Sequence, residues 1–344
     1  MPIDTRHVGY FYNQSVHQVT MTSSTGMSVS ILTLGGIIKY LLVPNRNGEL
    51  VDVVLGYDRL ADYANDPHYM GAIIGRVANR IENAQFDYQG RTIKVNANAY
   101  QGKHCVHGGR FGYHHRVWKI VGTSKTEHSV SLTLGLVDND GEEGFPSKID
   151  VLATYTLTSD NQLSLEVAAQ SDASSPFSST AHSYFNLNGH SSGYIGDHLL
   201  SIPSQQRLQQ KHDRVPNGEL ISVEGTPFDF QHPKPLFECV DQAIDINDSY
   251  TLAYDGNTNL VAELTACQLG LRVYSNERTL HFYNGHNLDA VSGKFGATYH
   301  KFAGVCLEPK GYVNAVNIDH FPLSEVSPDK PYQHKIIYQF FSPE

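Results

Sequence analysis

The sequence predicts an all-β fold, and three observations carry the prediction. Turn-forming residues are dense: 29 Gly and 15 Pro, with many Asn and Asp, fall between short segments, a rhythm typical of strands joined by hairpins. Several segments alternate apolar and polar residues with the period of two that a half-buried strand requires. No segment sustains apolar residues at the i, i+3, i+4, i+7 spacing of an amphipathic helix.

The alternating segments predict individual strands along the chain. The clearest are residues 29–33, residues 130–134, and a hairpin that joins residues 151–157 to residues 163–167. Residues 260–282 repeat the pattern and predict a further meander. Residues 57–64 are compatible with one or two helical turns, which Pro67 would end.

The segment 189–196 has the glycine spacing of a dinucleotide-binding loop, but it follows no strand–helix pattern and opens no helix. We therefore predict a surface loop there.

Length and charge limit the domain organisation and the partners. The 344 residues exceed a typical single domain, but large all-β sandwiches and barrels often reach such sizes as one unit. No low-complexity linker divides the chain, so we predict a single domain over residues 1–344. With a formal net charge of -10 and only 17% charged residues, the chain lacks the basic surface that binding a nucleic-acid backbone requires.

Cysteine usage and the N-terminus indicate the compartment. The four cysteines show no C-x-x-C spacing, which fits neither a zinc site nor a disulfide framework, and we expect free thiols in a reducing environment: Cys105, Cys239, Cys267 and Cys306. The first residues contain no apolar signal segment, and no run of about 18 apolar residues follows that could span a bilayer. We expect a cytoplasmic protein with no membrane partner.

Two titratable residues lie in runs that are otherwise typical of buried strands. His182 falls within residues 180–187 and Glu308 within residues 304–309. A polar group in such a run requires a hydrogen-bonded partner or a function. Histidine exchanges a proton near neutral pH, and glutamate is seldom buried without a partner. The residues alone leave two alternatives open: a satisfied core histidine and a structural ion pair, or the acid and base of one site.

A third polar cluster lies at residues 75–81. It places Asn79 and Arg80 beside apolar residues, where an amide and a guanidinium can form paired hydrogen bonds to vicinal hydroxyls or to a carboxylate. From this stretch alone the structural alternative, an arginine paired with a carboxylate, is favoured, because buried arginine is usually paired.

A fourth cluster covers residues 104–112, where His107 precedes two glycines that allow close approach of the backbone to a ligand. His104, Cys105 and His107 lack a second pair of ligands at zinc-site spacing, and alternate strand residues point to opposite faces. We therefore predict no metal site, and interpret His107 as a neutral histidine that contacts a ligand.

Taken together, these stretches resemble the aldose 1-epimerase (galactose mutarotase) family over most of the chain. The matching words are GRVANRI at 75–81, VHGG at 106–109, DNDGEEGFP at 138–146, HSYFNL at 182–187 and GVCLE at 304–308. Each word alone is a weak signal, but their joint order is specific. The resemblance implies a large antiparallel β-sandwich, the galactose mutarotase-like supersandwich, with the site on its concave face.

The resemblance also implies the chemistry. Glu308 would act as the general base that takes the proton from the anomeric hydroxyl, and His182 as the general acid that protonates the ring oxygen. Asn79, Arg80 and His107 would hold hydroxyls and stabilise the developing charge. The reaction would interconvert the α and β anomers of a free aldose such as glucose or galactose, with a small-molecule sugar as partner and no cofactor or metal.

The chain departs from the family pattern near the site. The family usually has an Asp before a His in a word such as I-D-H-x-F, whereas an ungapped match here puts Asn247 at the Asp position, with Asp245 and Asp248 as nearby carboxylates. Glu277 stands where the family often has Gln, and Lys310 stands where a Gln follows the catalytic Glu. We predict Asn247, Asp245 and Glu277 as substrate-binding residues, and these departures leave the sugar open.

Several alternatives remain open. The altered residues are compatible with a disaccharide substrate such as maltose or lactose, and fold alone does not exclude a non-catalytic carbohydrate-binding protein. Glycoside hydrolases typically use two carboxylates, and only one strong candidate is found. A hexose phosphate is disfavoured because few cations beyond Arg76 and Arg80 lie in these words, although Lys310 weakens that exclusion. Both a monomer and a homodimer fit the sequence.

Overall fold

The computed structural model describes residues 1–343, and strands dominate this range. The first ten strands are β1 (Ile3–Phe11), β2 (Gln14–Thr22), β3 (Ser28–Leu32), β4 (Ile38–Pro44), β5 (Leu50–Asp52), β6 (Ile73–Ile74), β7 (Arg80–Ile81), β8 (Gln85–Tyr88), β9 (Arg91–Lys94) and β10 (Cys105–Val106). The next ten are β11 (Lys119–Lys125), β12 (Ser129–Asp138), β13 (Ile149–Thr158), β14 (Gln162–Ser171), β15 (Ser175–Pro176), β16 (Thr180–Ala181), β17 (Tyr184–Phe185), β18 (Leu199–Ser201), β19 (Gln206–Gln210) and β20 (Pro216–Ser222). The last ten are β21 (Lys234–Pro235), β22 (Asn247–Thr251), β23 (Asn259–Thr265), β24 (Gly270–Ser275), β25 (Thr279–Tyr283), β26 (Val291–Ser292), β27 (Thr298–Tyr299), β28 (Val305–Lys310), β29 (Glu325–Val326) and β30 (Tyr332–Phe341).

Helical structure is confined to short turns. The two α-helices are α1 (Leu60–Ala64) and α2 (Phe237–Val240). Single 3-10 turns are found at Glu82–Ala84, Tyr113–His115, Glu142–Gly144, Lys294–Gly296 and Ala315–Asn317. None of the helices in residues 1–343 combines the length and the apolar character needed to cross a bilayer.

Three larger antiparallel sheets organise the fold. A nine-stranded sheet has the order β11-β12-β13-β14-β30-β24-β23-β18-β21, a six-stranded sheet has the order β17-β28-β25-β22-β19-β20, and a five-stranded sheet runs from β1 to β5. Their apolar faces meet in one hydrophobic cluster, in which the rings of Phe185 and Tyr338 lie 5.2 Å apart and join the six-stranded sheet to the nine-stranded one. The predicted all-β sandwich is confirmed.

The hairpin predicted around residues 159–162 is confirmed as the pair β13 and β14. Leu157 pairs with Leu163 at the turn, and Val151, Ala153 and Tyr155 face the core in alternation with partly exposed residues. The short helix predicted within residues 57–64 is confirmed as α1, and residues 189–196 form a loop between β17 and β18.

The meander predicted at residues 260–282 is wrong in one respect. β23 and β24 form a hairpin in the nine-stranded sheet, but β25 belongs to the six-stranded sheet. β24 has no free edge for β25, because its other side is paired with β30 along Gly270–Ser275. The chain therefore crosses between the two sheets at residues 276–278, an outcome that alternation of residues cannot reveal.

Candidate active site

The six-stranded sheet presents one polar row on a face that the core does not occupy. Glu308 on β28 pairs directly with His281 on β25, and His281 pairs with Ser249 on β22. Because side chains alternate along a strand, these three point to the same face, while Leu307 and Phe282 point to the hydrophobic core. The alternation that builds the core therefore also places the polar row.

A second row lies two residues along on the same face. Tyr184 on β17 pairs with Cys306, Cys306 pairs with Tyr283, and Tyr283 pairs with Asn247. Members of both rows form the floor of a pocket of about 260 Å³, which is also lined by Asn79, Arg80, His107 and His182. A volume just below the roughly 300–1,000 Å³ typical of small-molecule sites suits one small ligand.

His182 enters this pocket from the segment between β16 and β17. Its backbone N–H donates to the carbonyl of Ala72 at 2.9 Å, and its carbonyl accepts from the N–H of Gly71 at 3.0 Å. The ring is then fixed with Nε2 3.6 Å from Oε1 of Glu308 and Nδ1 3.7 Å from Sγ of Cys306. The two titratable residues that the sequence singled out, 126 residues apart in the chain, thus meet in one pocket.

Glu308 has a second partner that the sequence did not reveal. The Nζ of Lys310 donates to its Oε2 at 2.8 Å, and both side chains are almost completely buried. Burial lowers the pKa of Lys310, and the nearby carboxylate opposes that shift. One carboxylate oxygen is therefore engaged by an ammonium, and the other faces His182.

Asn79 and His107 hold each other in place above this floor. β7 and β10 pair through Arg80 and Val106, and both adjoining residues adopt positive φ angles, 65° for Asn79 and 55° for His107. His107 N–H donates to the carbonyl of Asn79 at 2.9 Å, and Asn79 N–H donates to Nδ1 of His107 at 3.3 Å. Such unfavourable backbone conformations cluster at functional sites, where the surroundings maintain them.

The protonation state of His107 follows from these contacts. Burial, and then the proximity of His182 and Lys310, holds the pKa of His107 well below its ordinary value. The ring is neutral and its Nδ1 accepts a hydrogen bond, so Nε2 carries the proton. His107 is therefore a fixed donor in the pocket. The glycine after it serves a different purpose from the one predicted: a Cβ on Gly108 would collide with the backbone carbonyl of Gly75, so the close approach is to protein backbone.

The two arginines of residues 75–81 have different roles, and each fits one of the two alternatives that the sequence left open. Arg76 is fully buried, and its Nε donates to Asp138 at 2.8 Å, where the hydroxyl of Tyr113 also donates at 3.0 Å. Arg80 lines the pocket, and its Nη1 donates to Oδ1 of Asn79 at 3.0 Å. Within residues 1–343, no carboxylate lies within ion-pairing distance of Arg80. Arg76 is thus the structural arginine, and Arg80 is the one available to a ligand.

His281 is a pocket residue that the sequence analysis missed. Its Nδ1 lies 2.8 Å from the hydroxyl of Ser249, and its Nε2 lies 2.9 Å from Oδ1 of Asn247. Burial, and then the charges of Lys310 and Arg80, holds its pKa well below the ordinary value. The neutral ring donates from Nε2 to Asn247 and accepts at Nδ1 from Ser249. The signal was present: His281 is a titratable residue inside an apolar strand, as Glu308 is.

The three uncertain carboxylates of the sequence analysis lie outside the pocket lining. Asp248 points to the other face of β22, where the guanidinium of Arg207 pairs with it at 2.6 Å. Asp245 pairs with Arg214 beyond the rim. Glu277 is buried and accepts a hydrogen bond from the hydroxyl of Tyr332 at 2.7 Å. Of the predicted loop residues, only Asn247 lines the pocket, because the register of β22 directs it there.

The structure separates His104 from His107. His104 is buried, accepts at Nδ1 from the backbone N–H of Asn83 at 3.0 Å, and meets Asp213 with Nε2 at 3.0 Å. It therefore has a structural role.

One other group has the geometry of metal ligands, because donor atoms of His182, Cys306 and Glu308 lie within 4.8 Å of one another. The ammonium of Lys310 beside Glu308 opposes a cation there, and burial holds the pKa of the Cys306 thiol well above its usual range. The arrangement favours acid–base chemistry over metal binding.

Comparison with known proteins identifies the family. The family model described as aldose 1-epimerase matches residues 17–339. The chain belongs to the aldose 1-epimerase family. It is 35% identical to the galactose mutarotase of Sus scrofa over 323 residues, which cover 92% of each chain. It is 34% identical to the aldose 1-epimerase of Haemophilus influenzae over 84% of this chain and 85% of that one.

A solved structure supports the same family fold. The GalM/aldose epimerase homologue from C. elegans superimposes with a TM-score of 0.87 at 28% identity, covering 95% of this chain and 99% of that one. The resemblance that the five short sequence motifs indicated is confirmed, because the family model and these relatives match most of this chain.

Proposed function

We propose that this protein is an aldose 1-epimerase that interconverts the α and β anomers of a free aldose, with His182 and Glu308 as acid and base. The supporting observation is the 3.6 Å distance between Nε2 of His182 and Oε1 of Glu308 inside the pocket. The hydroxyl to be deprotonated and the ring oxygen to be protonated are bonded to the same carbon. An acid and a base that act on these two oxygens must therefore lie close together, as His182 and Glu308 do.

The reaction balances with these two groups alone. Glu308 takes the proton of the anomeric hydroxyl, the carbonyl forms as the bond from carbon 1 to the ring oxygen breaks, and His182 protonates that oxygen. Rotation about the bond between carbons 1 and 2 presents the opposite face of the carbonyl. The reverse steps close the ring as the other anomer and return both protons. The chemistry requires no redox partner.

The neighbouring residues position the sugar and stabilise charge. Nε2–H of His107 donates to a ring substituent, and Asn79 and Arg80 hold hydroxyls on one side of the ring. Asn247 does the same from the sheet. Tyr69 closes the pocket over these groups, with its ring centroid 4.6 Å from that of His107 and 5.9 Å from that of His182.

The pocket favours one sugar ring over two. At about 260 Å³ it accommodates a single small ligand, so the second ring of a disaccharide would have to project from the open side. The pocket lining disfavours glycoside hydrolysis. Glu308 is the one carboxylate among the described residues that line the pocket, whereas the usual hydrolytic mechanism needs two carboxylates.

The compartment and assembly state also belong to this proposal. Cys105, Cys239 and Cys306 are buried free thiols, which supports a reducing, cytoplasmic environment. We propose a single domain over residues 1–344 that acts as a monomer or homodimer. Size-exclusion chromatography with light scattering measures the assembly state, and one cooperative unfolding transition is expected of a single domain.

Exchange NMR tests the activity without isolating an anomer. Cross-peaks between the α and β anomeric protons of glucose and galactose should grow faster with enzyme than in its absence. Galactose and glucose are the first substrates to test, followed by maltose and lactose. If no aldose exchanges faster with enzyme, the proposal is wrong; sugar affinity without catalysis would indicate a binding protein, and release of reducing ends from a glycoside would indicate hydrolysis.

A further inference from the structure

Several side chains that line the pocket present hydrogen-bond donors to a ligand. The amide oxygen of Asn79 is used by Nη1 of Arg80, and the amide oxygen of Asn247 is used by Nε2 of His281, at 3.0 and 2.9 Å. The NH₂ group of Asn247 is therefore left for a ligand, and that of Asn79 lies 3.5 Å from Nε2 of His281, a nitrogen that already donates to Asn247 and so cannot accept. His107 adds a third donor through its Nε2–H, because its Nδ1 already accepts from the backbone of Asn79.

The one carboxylate among the described residues that line the pocket already has neighbours at both oxygens. Oε2 of Glu308 accepts from the Nζ of Lys310 at 2.8 Å, and Oε1 faces His182. Oε1 is the atom left for the anomeric hydroxyl.

The pocket also has an excess of positive charge. Lys310 compensates Glu308, the buried imidazoles of His107 and His281 are neutral, and His182, as the proposed acid, brings a proton of its own. The guanidinium of Arg80 then remains as one positive charge with no counter-ion among residues 1–343 within 4.0 Å. A largely buried charge without a partner is costly, and a ligand that supplies one negative charge removes that cost.

We infer that the aldose converted at this site carries a carboxylate, which makes it a hexuronic acid. A carboxylate only accepts hydrogen bonds, and it matches the planar fork of a guanidinium flanked by amide NH₂ groups. The inference rests on the proposed anomerase function and names the substrate class of that same site.

Matched substrates provide the direct test. Exchange NMR at pH 7 and fixed ionic strength compares galacturonate with galactose, glucuronate with glucose, and glucose 6-phosphate with all four. We expect kcat/KM for at least one hexuronate to exceed that of its neutral hexose by about tenfold or more, equivalent to about 1.4 kcal/mol. A neutral hexose or the phosphate ester as the best substrate would overturn the inference and leave the proposed function standing. Absence of exchange with every aldose would overturn both.

Two variants of Asn247 test whether the preference has an electrostatic cause. Asn247→Asp introduces a carboxylate into the pocket, and Asn247→Ser removes the same amide without adding charge. We expect Asn247→Asp to lower kcat/KM for the hexuronate about tenfold more than for the neutral hexose, because like charges in a partly buried site repel. Asn247→Ser should reduce the preference for the hexuronate less than Asn247→Asp does, because it removes one donor and adds no repelling charge. Equal losses on both substrates in Asn247→Asp would contradict an electrostatic origin.

Discussion

The ammonium of Lys310 lies 2.8 Å from Oε2 of Glu308, and neither side chain is exposed to solvent by more than 1%. The two residues are separated by one position on β28, so both point into the site face of the sheet. The proposed base is therefore not an isolated carboxylate in an apolar setting. Its negative charge is stabilised from the side opposite the acid, His182.

Replacement of Lys310 should change the pH dependence of catalysis. In Lys310→Gln the carboxylate of Glu308 loses the ammonium that donates to Oε2. We expect the acidic limb of the kcat/KM profile to move upward by about one pH unit or more, as removal of a close opposite charge does. Lys294→Gln is the matched control, since Lys294 is a buried lysine paired with Asp52 away from the pocket. Both variants should lose thermal stability, and an unmoved profile in Lys310→Gln would show that the ion pair does not tune the base.

Two buried glutamates allow a controlled test of the base. Glu308→Gln keeps the shape of the side chain but cannot accept the proton, and should lower kcat by about 10²- to 10⁴-fold. Glu277→Gln changes the same residue type at a buried position outside the pocket, where Tyr332 donates to it. It should retain activity and lose stability. Equal loss of activity in both variants would instead assign Glu277 to the substrate site, as the sequence analysis predicted.

The two arginines of residues 75–81 should respond in opposite ways. Arg76→Met leaves Asp138 as an unpaired buried charge, so the free energy of unfolding should fall by about 3–5 kcal/mol. Arg80→Met removes a cation without a counter-ion and should cost little stability, but it should weaken substrate binding and raise KM. Urea unfolding and steady-state kinetics on both variants separate these outcomes. A large loss of stability in Arg80→Met would contradict its assignment as a ligand-binding residue.

Acid should destabilise the fold through His198. This ring is fully buried, accepts at Nε2 from the N–H of Leu187 at 2.9 Å, and lies with Nδ1 3.1 Å from the carbonyl of Ile195, to which it donates. Burial lowers its pKa to about 4 from the ordinary value. Between about pH 6.5 and 4 the unfolded chain therefore binds more protons than the folded one, and the free energy of unfolding falls as pH falls, by about 1.4 kcal/mol per pH unit.

The contribution of His198 is isolated by comparing slopes. Urea unfolding of the protein and of His198→Gln at several pH values between 6.5 and 4.5 gives the free energy of unfolding in each. The variant should show the smaller slope, since Gln does not titrate. Identical slopes would mean that other groups account for the acid sensitivity.

The main features of the site were predictable because a local signal marked them. Glu308, His182 and His107 each stand out as titratable residues in apolar or glycine-containing segments, and all three line the pocket. His281 carried the same signal and was overlooked, since it matched none of the words by which the family was recognised. Pattern and resemblance together sufficed for the fold, because alternation of period two is a property of each strand on its own.

The remaining features depended on pairing between distant strands. Whether Asn247 or Asp248 enters the pocket is decided by the register of β22 against β25, and a shift of one residue would exchange the two. The position of Glu277 follows from the crossing between β24 and β25, which occurs because β30 occupies the other edge of β24. The partner of Arg76 is Asp138, 62 residues away. None of these relationships can be predicted from the local sequence, because each depends on residues far apart in the chain.

The position of β30 also has a consequence for synthesis and folding. This strand lies between β14 and β24, and its residues 332–341 pair with residues 162–169 on one side and 270–275 on the other. Until it emerges from the ribosome, the two halves of the nine-stranded sheet have unpaired inner edges, and such edges invite association with other chains. The nine-stranded sheet is therefore complete only after residues 332–341 have been translated, well after β14. Pairings of such long sequence separation also predict slow folding.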